Sequence, residues 1–353
     1  MKKTLVALAV AAVAATSANA AVVYNQDGTK IDVGGQVRLI LSKDKNERAD
    51  LKYGSSRIHA KVNQDLGDGY SALGHLEIGL KGDQDNVTVR RVYAGFAKEG
   101  IGQLTFGRQL SNLDDSGLSD FTYDLGGINL TMTEGNKVAR FRSAEFAGLE
   151  LGLDYFFGEN DKNEYNHGAG FGTSLFYTAE VANNTTLQVN AGFSQVKVKK
   201  GSFDLSEYNL DLVDYKAHKL NAFIVGAKLT TGPFAFAVDY SQQKASNNQV
   251  GIGFKQPHDD GLIAFPINKL QQLEIGAKYN YLENASVYGE YIYRKATISS
   301  DAPKVNVNEF ILGTDYKFAK NVITYFESGT ARYKLEDKSV RDNKFRVGLR
   351  VLF

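Results

Sequence analysis

The sequence predicts an all-β chain folded as a 16-stranded antiparallel transmembrane β-barrel. Three observations predict it. Apolar residues return at every second position in about sixteen segments, and the connections alternate between tight and long. After the leader, no stretch reaches the roughly 20 apolar residues of a membrane helix. Composition agrees: 353 residues include 35 glycines, 19 tyrosines and 21 phenylalanines but only 4 prolines, the balance of strands joined by frequent turns. There is no cysteine and no tryptophan, which excludes disulfides, thiolate metal sites and cysteine nucleophiles. A net charge of +1 argues against nucleic acid as a partner.

The first element is a leader. Lys2 and Lys3 precede an apolar run from Leu5 to Ala15, and Ala18-Asn19-Ala20 is a small-x-small cleavage site. This is the pattern of a secretory signal peptide. Residues 1–20 are expected to be removed, leaving residues 21–353 as one membrane domain. Losing Lys2 and Lys3 turns 41 basic and 40 acidic residues into one net negative charge.

From Ile31 onward the alternation is repeated. Val33, Val37, Leu39 and Leu41 alternate with Asp32, Gln36, Arg38 and Ser42, and Ile58, Ala60 and Val62 with Arg57, His59 and Lys61. Leu149 to Tyr155, Leu187 to Phe193, Phe234 to Tyr240 and Leu273 to Tyr281 follow the same rule. The last segment is the cleanest, with Phe345, Val347, Leu349, Val351 and Phe353 against Lys344, Arg346, Gly348 and Arg350. Tight connections fall at Gly67-Asp68-Gly69, Glu99 to Gly102, Asn183-Asn184, Thr231-Gly232-Pro233, Glu283-Asn284 and Lys320-Asn321. Long polar ones fall at Lys43–Lys52, Arg108–Asn136, Gly158–Gly168, Lys197–Tyr215, Gln242–Lys269, Arg294–Val307 and Gly329–Asn343. Such asymmetry is expected of a membrane barrel with short periplasmic turns and long outer loops. In lipid every backbone amide and carbonyl must pair within the sheet, so the sheet has to close. Closure on sixteen strands leaves a water-filled bore.

The connection at Arg108–Asn136 carries Asp114, Asp115, Asp120 and Asp124 with Gly126-Gly127. By parity Arg38, Arg57 and Arg142 point inward, and strict alternation admits only one of Arg90 and Arg91. An unpaired arginine facing mid-membrane lipid would cost roughly 2–4 kcal/mol. Read from residues alone, the acids are either a solvated loop or one side of a constriction, and the arginines either lumen lining or its other side.

Here the chain resembles a known family. Gly107-Arg108-Gln109 leads into a loop ending Asp120-Phe121-Thr122-Tyr123-Asp124-Leu125-Gly126-Gly127, and Phe141-Arg142-Ser143 follows. This is similar to the trimeric general diffusion porins of Gram-negative outer membranes, most of all the major porins of the Pasteurellaceae. The resemblance spans the chain after the leader. It implies a third loop folded into the barrel, with Asp120 and Asp124 opposite Arg38, Arg57, Arg90 and Arg142, and Asp114 and Asp115 as further acidic candidates. Tyr-Asp-Leu-Gly-Gly stands where the family usually has Pro-Glu-Phe-Gly-Gly. The resemblance also implies an outer-membrane homotrimer in contact with lipid and lipopolysaccharide, and a terminal Phe353 read by the barrel-assembly machinery. It implies passive diffusion of ions and small hydrophilic solutes, with no cofactor, metal or catalysis.

Residues outside the motifs refine these expectations. Outward positions of the first five strands are small or aliphatic (Ala60, Ala72, Gly74, Leu76, Ile78), whereas later strands carry Tyr177, Phe193, Phe223, Tyr240, Tyr279, Tyr291, Tyr316 and Phe318. Aromatic girdles suit lipid interfaces, so the first five strands are expected to form the subunit contact. The five histidines show no metal-ligand spacing; His59 and His75 are expected to line the lumen, and His258-Asp259-Asp260 to be a solvated loop. No nucleophile–base pair stands at a spacing that suggests a barrel hydrolase. Two alternatives remain: a substrate-selective bore, for which inward Phe176 and Tyr288 are the hint, and a surface barrel acting through its outer loops.

Overall fold

The chain closes on itself as a single antiparallel sheet of sixteen staves. The structure, a computed structural model, describes residues 20–80, 87–127, 129–160, 167–203, 213–246, 252–258, 261–297 and 304–353. Most of the leader, Ile128 and parts of five outer loops, Asp259-Asp260 among them, lie outside the described residues. The staves are β1 (Thr29–Asp44), β2 (Ser56–Gly67, prolonged outward by Asp50–Tyr53), β3 (Tyr70–Leu80) and β4 (Val87–Lys98). There follow β5 (Gly102–Leu110), β6 (Glu134–Ser143), β7 (Leu149–Phe157) and β8 (Ala169–Ala182). Next come β9 (Thr185–Val198), β10 (His218–Thr231), β11 (Phe234–Ala245) and β12 (Lys269–Leu282). The last four are β13 (Ala285–Thr297), β14 (Lys304–Ala319), β15 (Val322–Leu335) and β16 (Lys338–Leu352).

Closure is made by β16 against the outer half of β1, from Gln36↔Leu352 to Asp44↔Lys344. The lower half of β1 pairs instead with an N-terminal segment, Ala21–Gln26, folded back through Asp27-Gly28. Two backbone bonds between Gly35 and Phe353 complete the seam. Alternation decides which face meets lipid. On β16 Phe345, Val347 and Leu349 are exposed on the outer surface, while Arg346 is buried inside. Ring pairs such as Phe223–Tyr240, Phe234–Tyr279 and Tyr291–Phe310 lie on that outer surface, as girdles should. Among the described residues no helix is long and apolar enough to cross a membrane.

Two expectations about the chain path change. The span Gly329–Asn343, expected as a long loop, is mostly strand: β15 and β16 run on to Leu335 and Lys338 around Glu336-Asp337. Above the membrane both faces of a hairpin meet water, so alternation disappears while the backbone ladder continues. The other change is at Arg90 and Arg91. The β3–β4 register slips between Glu77↔Arg91 and Ile78↔Val89, leaving Arg90 as the extra residue of a β-bulge. A bulge breaks strict parity, so both arginines turn inward while Val89 and Val92 remain on the lipid side.

Candidate functional site: a loop clamped inside the barrel

The connection from Ser111 to Thr133 lies within the barrel, along the wall. Ser111 caps a short 3-10 turn, Asn112–Ser116, by accepting from Leu113 N. Leu113 is completely buried; its methyls occupy the space that side chains on inward Gly172 and Gly192 would fill. Gly152 lies under Asn112 and Gly276 under Ser119 and Phe121 in the same way. These glycines sit at inward positions of β7, β8, β9 and β12. Together they form a groove in an otherwise side-chain-lined wall, and the loop occupies it.

Buried carboxylates on the wall hold the loop by its backbone. Asp154 accepts from Asn112 N at 3.1 Å. Asp239 accepts from Leu118 N and Ser119 N, both at 2.7 Å, and from Ser119 Oγ at 2.6 Å. Glu327, fully buried, accepts from the amides of Tyr123, Asp124 and Leu125 and from the Tyr288 hydroxyl. Hydrogen bonds to an ionised acceptor are the strong kind. Two wall tyrosines support the tip. Tyr325 lies over Gly348, where any Cβ would overlap its ring, stacks on Tyr123 at 4.6 Å and accepts from Arg38 Nη2 at 2.9 Å. Tyr288 lies over Gly313 in the same manner.

The charged side chains meet in three groups. Asp124 bridges Arg38 (3.1 Å) and Arg346 (3.0 Å). Asp115 lies 3.6 Å from Arg142 and 3.9 Å from Arg140, and Arg142 also holds Glu150 at 2.8 Å. Glu77 gathers Arg90 at 2.8 Å and Arg57 at 3.5 Å. Crowding inside the barrel and the adjacent Asp115 push the Asp114 carboxyl up to about 6, against the pull of Arg91. Asp120 behaves differently. It accepts from Thr122 N and Oγ1, and within its electrostatic reach are Asp239, Glu274 and Glu290 on the far wall. Burial pushes its carboxyl up as well.

All the expected site residues therefore lie in the bore, but not as two cleanly separated rows. Asp124 touches the basic wall, and Asp120 faces away from it. Glu77, Arg140, Arg346 and Arg350 belong to the constellation and were not anticipated, and Arg91, expected only as an alternative to Arg90, joins it together with Arg90. Arg346 and Arg350 had a signal, since both alternate into the lumen on β16, and Arg350 stands directly across from Arg38. Phe176 and Tyr288 offer no track for a solute: Phe176 is buried with the Arg142 guanidinium 3.5 Å from its ring centre, and Tyr288 is spent on Glu327. Among the described residues no group of three or more acidic or imidazole side chains converges as a metal site would.

A closed sixteen-strand barrel, lipid-facing outside and charged within, with a loop clamped along its inner wall, defines an outer-membrane channel. The chain belongs to the Gram-negative porin family, whose model matches residues 7–336. It is 42% identical over 372 residues to a major outer membrane protein of Pasteurella multocida (strain Pm70), covering all of both chains. Its fold is similar to OmpT of Vibrio cholerae in a trimer form (TM-score 0.71, 21% identity, 93% of this chain and 100% of that one). It is also similar to an anion-selective porin from Comamonas acidovorans (TM-score 0.67, 16% identity, 92% and 100%). The protein is a multi-pass β-barrel of the outer membrane that forms a water-filled channel. Its family is one of channels rather than of enzymes.

Proposed function

We propose that ions and small hydrophilic solutes cross by passive diffusion through an eyelet between the clamped loop and the arginine-rich wall of β1, β2, β4 and β6. Asp114, Asp115, Asp120 and Asp124 supply its negative charge, and Arg38, Arg57, Arg90 and Arg142 its positive charge, with Arg346 steadying Asp124. The contact of Asp124 with two arginines carries this reading, because it brings the loop tip and the basic wall to one level of the bore. At several ångströms and an effective dielectric near 20, each unlike pair interacts by on the order of a kcal/mol or more. That biases permeation without trapping a solute. Neutralising Asp120 and Asp124 together (D120N/D124N) shifts reversal potentials in a KCl gradient toward anions; unchanged potentials would remove the assignment.

The same reading includes assembly. The leader is cleaved after Ala20, the barrel-assembly machinery engages the strand ending in Phe353, and three copies associate through the small-residue face of β1 to β5. Ala60, Ala72 and Gly74, and the trimer form of the Vibrio cholerae neighbour, support that face. The remaining surface meets lipid and lipopolysaccharide. Lipid-soluble photolabelling of the trimer leaves β1 to β5 unmarked; labelling as heavy as on β9 to β15 would refute the assignment.

A further inference from the structure

The outer surface of β11 to β16 sorts its charges completely. Along these six staves the lipid-side positions carry no carboxylate, whereas the lumen side carries Asp239, Glu274, Glu290, Glu309, Asp315 and Glu327. Cations do stand on the lipid side, and only at the outer ends: Lys244, Lys269, Lys295, Lys304, Arg332 and Arg341. The periplasmic ends of the same columns have none, ending instead in residues such as Tyr281, Phe318 and Val351. Among the described residues no carboxylate pairs with any of the six. Lys244 and Lys295 stand four residues outward of the girdle rings Tyr240 and Tyr291, roughly 13 Å along the strand, which sets them at the headgroup layer of the outer leaflet. Two pairs are directly opposed across neighbouring strands, Lys244↔Lys269 and Arg332↔Arg341. Like charges so placed destabilise a sheet unless an anion lies between them. Below the row, the lipid side opens as a cleft of about 350 Å³, floored by Ala277 and Gly289 and walled by Ile275, Tyr291, Phe310 and Leu312. Gly289 lies six residues below Lys295 on β13, roughly 20 Å along the strand.

We propose that this face is a binding site for a phosphorylated, acylated lipid of the outer leaflet, with phosphates between the opposed cations of the row and an acyl chain in the Gly289 cleft. The inference rests on the lipopolysaccharide contact proposed above and gives it a place on the barrel. Charge complementarity selects the ligand. A zwitterionic headgroup would bring its own cation to a surface that offers no carboxylate to receive it, whereas a phosphate monoester brings negative charge alone and can serve both members of an opposed pair. Guanidinium groups hold phosphate through paired N–H donors, and lysines act on it as point charges. The absence of a side chain at Gly289 leaves the cleft open between the Tyr291–Phe310 ring pair and Ala277. These staves lie outside the face assigned to the subunit contact, so the site stays open to lipid in the assembled protein.

The test measures binding of labelled bisphosphorylated lipid A to the purified protein in neutral detergent, for wild type and for K244Q/K269Q/K295Q. Wild type binds, and its affinity falls as KCl is raised. Each charge removed costs about fivefold, so the triple variant binds on the order of a hundredfold more weakly. R332Q/R341Q tests the same row should the triple variant not assemble. Dephosphorylated lipid A binds wild type no better than the triple variant binds the phosphorylated form. G289L fills the cleft and weakens the acylated lipid by about fourfold for each methylene displaced, while the deacylated, phosphorylated headgroup binds it as it binds wild type. Equal affinity of wild type and both charge variants for bisphosphorylated lipid A would overturn the site and leave lipopolysaccharide contact elsewhere on the barrel standing. Binding of lipid A by neither wild type nor variants would overturn both.

Discussion

Replacing Glu327 with alanine tests whether the inner loop is held by wall carboxylates. Glu327 takes the amides of Tyr123, Asp124 and Leu125, and a methyl group in its place would offer them nothing. The released amides can find water in the bore, so the net loss per bond is about 1–1.5 kcal/mol rather than the full vacuum value. Three amides sum to about 3–5 kcal/mol, treated as independent, which raises the undocked population of the tip by two to three orders of magnitude. Asp239 and the Arg38–Asp124–Arg346 bridge still act, so the tip fluctuates without leaving the bore. Single-channel recording of E327A shows added open-channel noise and new conductance levels, while the thermal midpoint of the barrel is unchanged because the loop contributes no rung to its ladder. E327Q keeps one acceptor oxygen and falls between. Wild-type conductance and noise in E327A would refute the clamping role.

Three further outcomes follow from the same geometry. Gly348→Ala drives a Cβ into the Tyr325 ring, so overpacking costs about 1–3 kcal/mol and disturbs the stack on Tyr123. Gly74→Ala, where the nearest neighbour is 3.8 Å away, is neutral in a monomeric barrel, and denaturant titration of both variants checks the contrast. Glu77→Gln removes the charge between Arg57 and Arg90 and raises the chloride-to-potassium permeability ratio about two- to fivefold, read from reversal potentials. Asp114, with its carboxyl raised to about 6, binds more protons in the docked loop than in a free one between the ordinary 3.8 and that value. The docked loop is therefore more stable at pH 4 than at pH 7, and the noise of wild-type channels falls on acidification across that window while D114N shows a flatter dependence.

Much of the scaffold was legible because period-two alternation is a strong local signal: Phe345 to Phe353 reads as a lipid-facing strand with no other information. The bulge was not legible. Arg90 and Arg91 are the same residue type, so parity alone forbids what a register slip allows. The outward run of β15 and β16 past Gly329 was hidden because a strand wet on both faces has a loop's composition. For the site, the loop and most of its arginines could be found by position and residue type. Asp154, Asp239 and Glu327 could not be singled out, since their partners are backbone amides far away in the chain. The inward glycines Gly152, Gly192 and Gly276 were visible as gaps in the polar face. What fills a gap is settled only when a remote segment arrives.

The meeting of Gly35 with Phe353 has a consequence for how the chain could be rearranged. Because the amino-terminal segment and β16 stand end to end as one stave, a short linker could join the two extremities and new ones could be opened at a periplasmic turn such as Asn183-Asn184. Such a circular permutant would keep every rung of the cylinder while moving the point of final zippering to the opposite wall, and with it the order in which the hairpins enter the bilayer.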